Sequence, residues 1–388
     1  MRVLIIGGMG VIGGAITEAA SKRDIDVYVV SRRAPFEKWK DIKATYIQGN
    51  WKDDSFAEQL VSKYFDVIVD TQIFNKEQLS RSTKIINGHC TQFIYISTDS
   101  VYKHPSSDLN ENQEINLKDI KWKYGHEKRM AEIYLSDHSS EYSFYWTVIR
   151  PTITFGDTRI PVGYASRRNT YTLIERIIDN KPILRFDDPE TKHSLCHTSI
   201  FGSAVCELFL NPSAAGEAYH ISDDKSYTYD EIFQAIEAVV GAKPLYAHFP
   251  SSVVKKYSRV IYEEMVYDKD PTFTLDNSKI KRMCSNTLFH KDMYEVLSAT
   301  IKNLKDHREK EGEDQDYNMI SDVILLKNYG KITNENERTY IANYLNGLDK
   351  EYIHALIKYD RKSGIKNLVH LCKRCLRPIK KLVNTRKK

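Results

Sequence analysis

The first seventeen residues restrict the fold more than any other stretch of this chain. An apolar run, Val3 to Ile6, passes directly into glycines at 7, 10 and 13, and helical composition begins at Val11 and lasts to Ser21. A strand, a tight turn and a helix in that order need one glycine at the bend and another where helix and sheet meet closely. A glycine between them lets a pyrophosphate approach the backbone, and the helix N-terminus beyond it favours anions. Gly7, Gly10 and Gly13 therefore predict a dinucleotide held at this turn, with Val11 and Ile12 heading the helix that receives its phosphates. A secretory signal would also show an uncharged run after Arg2, but five glycines interrupt the 15 uncharged residues from Val3 to Thr17. The run is also too short to span a bilayer.

More short apolar runs follow, at Val27–Val30, Ala44–Ile47, Val67–Val69, Phe93–Ile96 and Thr147–Ile149, with polar helical stretches between them. Runs so short and so continuously apolar suit strands covered on both faces, so residues 1–150 are expected to form a doubly wound α/β unit around a parallel sheet. From 151 to 306 the alternation loosens into a smaller substrate-binding lobe, with a helix at Tyr229–Val240 and some elements returning to the core. The charge cluster Arg308 to Asp316 reads as a linker into a mostly helical, C-terminally basic extension, 307–388. At 388 residues the chain has length for two or three such units.

Where the second strand ends, a carboxylate would meet the ribose hydroxyls of NAD; this chain has Ser31-Arg32-Arg33 instead. A guanidinium grips a ribose 2′-phosphate with two parallel hydrogen bonds, so NADP is expected ahead of NAD. Asn50 and Trp51, after the third strand, fall where adenine is usually flanked.

Tyr124 and Lys128 stand four apart in a helical segment and can face the same way. A cation beside a phenol favours phenolate, and a bound oxidised nicotinamide strengthens the effect, making Tyr124 a general acid and base for an alcohol and ketone pair. Thr98, at the end of the fifth strand in Ser97-Thr98-Asp99-Ser100-Val101-Tyr102, is placed to hydrogen-bond the same substrate oxygen. No metal site is expected.

These residues together resemble the extended short-chain dehydrogenase/reductase superfamily, and within it the NAD-dependent epimerase/dehydratase group. The resemblance rests on Gly7/Gly10/Gly13, Thr98 with Val101-Tyr102, Tyr124/Lys128, Arg150-Pro151 and Phe155-Gly156. His197 to Val205, Gly216 to Ser222 and Asp276 to Ile280 extend it, so that it covers about residues 1–305. It implies a Rossmann core, hydride exchange at a sugar carbon of a nucleotide-linked sugar, Tyr124 moving the hydroxyl proton, Lys128 holding the nicotinamide ribose and Thr98 orienting the oxygen. Dehydratases of the group commonly carry Asp-Glu after the threonine. Asp99-Ser100 here makes a dehydratase using Asp99 the lesser alternative. The family's phosphate-gripping arginine is not matched around Lys192-His193-Ser194, and Arg167 and Arg168 read better as surface charges. A regulatory protein that senses NADP or binds RNA without turnover is the rival from another class, disfavoured because a sensor has no need of a proton donor beside nicotinamide.

Charge separates the C-terminus from the rest. From Lys358 to Lys388, twelve Lys/Arg against the single Asp360 give +11, so the other 357 residues sum to −6. Residues 365–388 form an amphipathic basic pattern that reads first as a helix docked on protein, in the chain itself or in a homodimer, and second as a peripheral membrane contact. Nucleic acid is disfavoured, since Tyr352 and Tyr359 are the only aromatics near it. Six scattered cysteines fit a reducing cytoplasm, and Cys372-x-x-Cys375 lacks the second pair a zinc site needs.

Overall fold

A computed structural model describes residues 1–363 except 167, 187 and 189, and only the backbone of 307–311. The expectations for residues 365–388, for the pair Cys372 and Cys375, and for Arg167 lie outside the described residues.

The chain alternates strand and helix from its start: β1 (Arg2–Ile6), α1 (Val11–Ser21), β2 (Asp26–Ser31), α2 (Glu37–Lys40), β3 (Thr45–Gln48), α3 (Asp54–Val61), β4 (Phe65–Asp70), α4 (Lys76–Ile86) and β5 (Cys90–Ile96). After β6 (Ser106–Leu109) come α5 (Lys123–Asp137), β7 (Tyr145–Pro151), β8 (Ile153–Phe155), α6 (Tyr171–Ile178), β9 (Ile183–Arg185), β10 (Lys192–His197), α7 (Thr198–Glu207) and β11 (Glu217–Ile221). Seven strands form one sheet in the order β11-β7-β5-β4-β1-β2-β3, and every pairing in it is parallel. This is the doubly wound α/β arrangement expected, with one strand more than the sequence disclosed.

Burial on both faces explains the continuous apolar runs. Val3 and Ile5 of β1 point to one layer, packed with Ile16 of α1 and Phe201 and Val205 of α7, while Leu4 and Ile6 point to the other, with Leu60, Leu79 and Leu135 of α3, α4 and α5. The two layers hold the strands rigid, so what stands at their C-terminal ends is held in place.

Two compact units share the chain discontinuously. The first comprises Met1–Pro161, Pro189–Ala235 and Pro271–Asn303 and holds the sheet. Residues 189–235 and 271–303, read from sequence as part of the lobe, are thus within the core unit. The second unit, from 162–188, 236–270 and 304 onward, contains α6, a short parallel pairing of β9 with Tyr246–His248, and a buried ion pair of Arg176 with Asp322 at 2.7 Å. The segment read as a linker is helical at its start, because a helix runs from Met293 to Glu311 without a break at Asp306. Its breaks are Gly312, at φ +72°, and Asp314, whose carboxylate caps the next helix, Gln315–Asn328. A run of charged residues reads alike in a helix and in a linker from a single sequence.

Candidate active site

The glycine turn has the geometry its spacing predicts. Gly7 lies at φ +80°, its N–H donates to Val30 O at 3.0 Å, and its carbonyl accepts from Gly10 N at 3.1 Å. A Cβ on Gly13 would stand 2.3 Å from Gly7 O, so α1 could not approach the turn with any other residue there. Gly10 differs. A Cβ there would meet only Gly7 O, at an ordinary 3.5 Å. The protein's own packing leaves that side open, which fits a pyrophosphate approaching the backbone. Gly10 caps α1 without a side-chain bond, no acidic residue stands in the first turn, and Val11 and Ile12 are half-buried at its head. The turn therefore fits a dinucleotide's phosphates.

At the end of β2, the Ser31 hydroxyl accepts from Arg33 N at 3.2 Å, and both Arg32 and Arg33 are exposed. After β3, Asn50 is exposed, its side-chain oxygen accepting from Lys52 N, whereas Trp51 is 4% exposed and its ring belongs to the core layer with Leu60 and Leu79. Arg168 is exposed.

The chemistry-bearing residues converge at the ends of β4 and β5. Thr98 caps a short turn, Asp99–Val101. Its Oγ1 accepts from Ser100 N at 3.2 Å and lies 3.1 Å from Ser100 Oγ and 3.3 Å from Asp99 Oδ1. Tyr124, Lys128 and Glu132 follow one another at four-residue intervals along α5 and so share a face. The Lys128 Nζ lies 5.9 Å from the centre of the Tyr124 ring, and Tyr124 is itself half-buried against Trp122. Lys128 is 2% exposed; its Nζ donates to Ile73 O at 2.5 Å and Ile96 O at 2.8 Å, tying α5 to the loop after β4 and to the last residue of β5. Burial pulls its pKa down to about 7, against the opposing pull of Asp70 and Glu132.

Gly125 is the residue that lets α5 reach the Thr98 turn, and sequence reasoning missed it. A Cβ there would stand 2.0 Å from Ser100 O. The available signal was a glycine inside a helix directly after the tyrosine, a position that costs helix stability unless something approaches closely. Gly125→Ala is expected to push helix and turn apart, costing about 1–3 kcal/mol and misplacing Tyr124 against Thr98. A denaturant melt, together with turnover below the melting range, would check both effects.

Beneath the turn lies a second feature not anticipated. Glu132 accepts from Arg150 at 2.9 and 3.1 Å, from Arg129 at 2.8 Å and from Ser97 Oγ at 2.5 Å. Arg150 Nη1 donates to Tyr102 OH at 2.5 Å, and that hydroxyl lies 2.6 Å from His220 Nε2. Because the guanidinium can only donate, the Tyr102 proton is available to His220 Nε2, which then accepts. Burial holds His220 neutral, lowering its pKa to about 3. Burial pushes the Glu132 carboxyl up, but Arg150 outweighs it and the net shift is downward. The residues flanking the Thr98 turn, Ser97 and Tyr102, are thus both held by one buried ion pair.

A family model described as NAD dependent epimerase/dehydratase family matches residues 3–222. The chain belongs to that family. Its members are enzymes of the extended short-chain dehydrogenase/reductase type, as the motifs implied. Among solved structures it is similar to UDP-glucuronic acid 4-epimerase from Bacillus cereus in complex with UDP-glucuronic acid and NAD, at 15% identity and a TM-score of 0.63, over 79% of this chain and 99% of that one. It is also similar to MoeE5 in complex with UDP-glucuronic acid and NAD, at 15% identity and TM-score 0.62 over 79% and 99% of the two chains. A third is the epimerase Mth375 of Methanothermobacter thermautotrophicus, at 14% identity and TM-score 0.62 over 80% and 93%. At these identities the likeness is one of fold. No curated protein sequence matches the chain. No helix among the described residues is long and apolar enough to cross a membrane.

Proposed function

We propose that this epimerase-family enzyme transfers hydride at a sugar carbon of a nucleotide-activated sugar, as an NADP(H)-dependent epimerase or reductase with Tyr124 as acid and base. The observation that carries this reading is the packing of the Tyr124/Lys128 face, through Gly125, against the turn that bears Thr98. Tyr124 Oη takes or returns the proton of the reacting hydroxyl, and Thr98 Oγ1 orients its oxygen. Lys128 spends two of its three N–H groups on Ile73 O and Ile96 O, leaving the third for a ribose hydroxyl. Nicotinamide, when bound, supplies the hydride acceptor and donor. Asp99 is drawn into hydrogen bonds with Thr98 and Ser100 inside the turn, and Ser100 stands where elimination would need a second acid, which favours epimerase or reductase over dehydratase.

Solved relatives hold UDP-glucuronic acid with NAD, which supports a UDP-sugar as the substrate class. Incubating the protein with UDP-glucuronic acid and UDP-glucose, each with NAD or NADP, and separating products by chromatography tests the reading. Conversion to an epimer or a keto sugar supports it; no dinucleotide binding and no conversion would overturn it. For the cofactor, the absence of a carboxylate after β2 and the two exposed arginines there support NADP. The Arg32→Ala/Arg33→Ala variant is expected to bind NADPH at least about 10-fold more weakly, the loss of a charge-assisted hydrogen bond, with NADH affinity little changed. Unchanged NADPH affinity in a fluorescence titration, or an equal loss for both cofactors, would overturn the assignment of these arginines to a 2′-phosphate.

A further inference from the structure

In an open parallel sheet, ligands bind beyond the strand ends where the strand order reverses. Here that point lies between β1 and β4, the neighbours from which the order runs to β2 and β3 on one side and to β5, β7 and β11 on the other. Gly7 forms the β1 wall of this crevice. The β4 wall is the loop Thr71-Gln72-Ile73-Phe74, which follows Asp70.

This loop is pinned at every position. Thr71 donates to Ile6 O through both its N–H, at 3.2 Å, and its hydroxyl, at 2.8 Å. Gln72 N donates to the buried Asp70 carboxylate at 2.8 Å, and Ser82 Oγ holds that carboxylate from the far side at 2.9 Å. Lys128 holds Ile73 O, and Phe74 N donates to Gln78 Oε1 at 2.7 Å. Within so fixed a backbone, the side-chain carboxamide of the half-buried Gln72 has no hydrogen-bond partner among the described residues. It stands over the glycine turn: a Cβ on Gly7 would lie 3.0 Å from Gln72 Nε2 and 3.1 Å from its Cγ.

We infer that Gln72 is a cofactor-binding residue, its Nε2 donating to the diphosphate of a dinucleotide seated on Gly7–Gly13. The inference rests on the proposed dinucleotide site and adds a residue to it from the opposite wall. A carboxamide is suited to the task because it offers two N–H donors without a charge of its own, so it can meet an anion without bringing in a counterion. Because the loop is already ordered by five hydrogen bonds, little backbone freedom is lost when the contact forms. Lys128 and Gln72 also share that loop, so the groups assigned to the nicotinamide ribose and to the diphosphate are fixed by neighbouring residues, Ile73 and Gln72.

The test is binding and needs no substrate. NADH and NADPH are titrated by fluorescence into the full-length protein and into Q72A, Q72M and Q72E, and ADP and adenosine then compete against the bound dinucleotide. Q72A and Q72M are expected to weaken the dinucleotide and ADP about 10-fold, equivalent to about 1.4 kcal/mol, and to leave adenosine within two-fold. Q72E should weaken the dinucleotide and ADP further still, since it sets a carboxylate against the phosphates. Wild-type affinity in Q72M would show that the residue acts by packing and would overturn the inference. So would an equal loss for adenosine and ADP, which would place the contact on the nucleoside, or wild-type affinity in all three variants. Failure of the wild-type protein to bind either dinucleotide would remove the site itself, an outcome distinct from the others.

Discussion

Tyr124→Phe is expected to lower turnover of the nucleotide sugar by about 10²–10⁴-fold while leaving the melting temperature and dinucleotide affinity close to those of the wild type. The substitution removes one oxygen atom and nothing else. Tyr124 is half-buried with its ring against Trp122, a contact that phenylalanine keeps. In the proposed mechanism, what is lost is the group that moves a proton as hydride leaves or arrives. Lys128→Met separates the two contributions of the pair. It should weaken cofactor binding as well as turnover, because Lys128 bridges the loop after β4 and the end of β5 and, in the proposed mechanism, carries the remaining N–H for the ribose. Steady-state kinetics beside a cofactor titration distinguish the cases, and full activity in Tyr124→Phe would end the proposed mechanism.

Glu132→Ala is expected to cost about 3–5 kcal/mol, the usual penalty for leaving a buried ionic partner without its counter-charge. Arg150 would keep its guanidinium in the core, and Ser97 and Arg129 would lose their acceptor at the same time. Replacing both members of the pair, Glu132→Met with Arg150→Met, should recover much of the loss, since two apolar side chains bury no charge. Acid provides an independent check. The Glu132 pKa is lower in the folded state than unfolded, so its contribution is present above the unfolded value and fades as pH falls through the folded one. Glu132→Gln should therefore flatten the acid limb of the stability curve. Denaturant melts at several pH values measure this, and an unchanged acid limb would mean the carboxylate contributes nothing through its charge.

Local features were legible in the sequence because local physics sets them. Val3 to Ile6 followed by Gly7, Gly10 and Gly13 could be read directly, since a φ of +80° at Gly7 and the close approach at Gly13 tolerate no other residue. The four-residue step from Tyr124 to Lys128 likewise placed both on one face of α5. Pairings between distant positions were not legible. Glu132 reads like any acidic residue on a solvated helix, and only the return of β7 eighteen residues later brings Arg150 onto it. Gln72 carried no motif, because its position over Gly7 depends on which strand lies next to β1. The sequence placed Trp51 after the third strand but not the direction of its indole, which packs in the core layer with Leu60 and Leu79. Nor did Glu217–Ile221 announce itself as a sheet strand, since it follows a stretch already read as a separate lobe.

That late strand has a consequence for how the protein is made. On the ribosome β7 is complete at Pro151, but the strand that covers it, with Thr147 opposite Glu217, has not yet been translated. At roughly 5–20 residues per second, the interval of about 70 residues lasts several seconds. During it a nascent Rossmann sheet presents an open row of backbone donors and acceptors, the form of surface that invites a second chain to pair. Pairing with Glu217–Ile221 closes that row of β7 once Ile221 clears the exit tunnel.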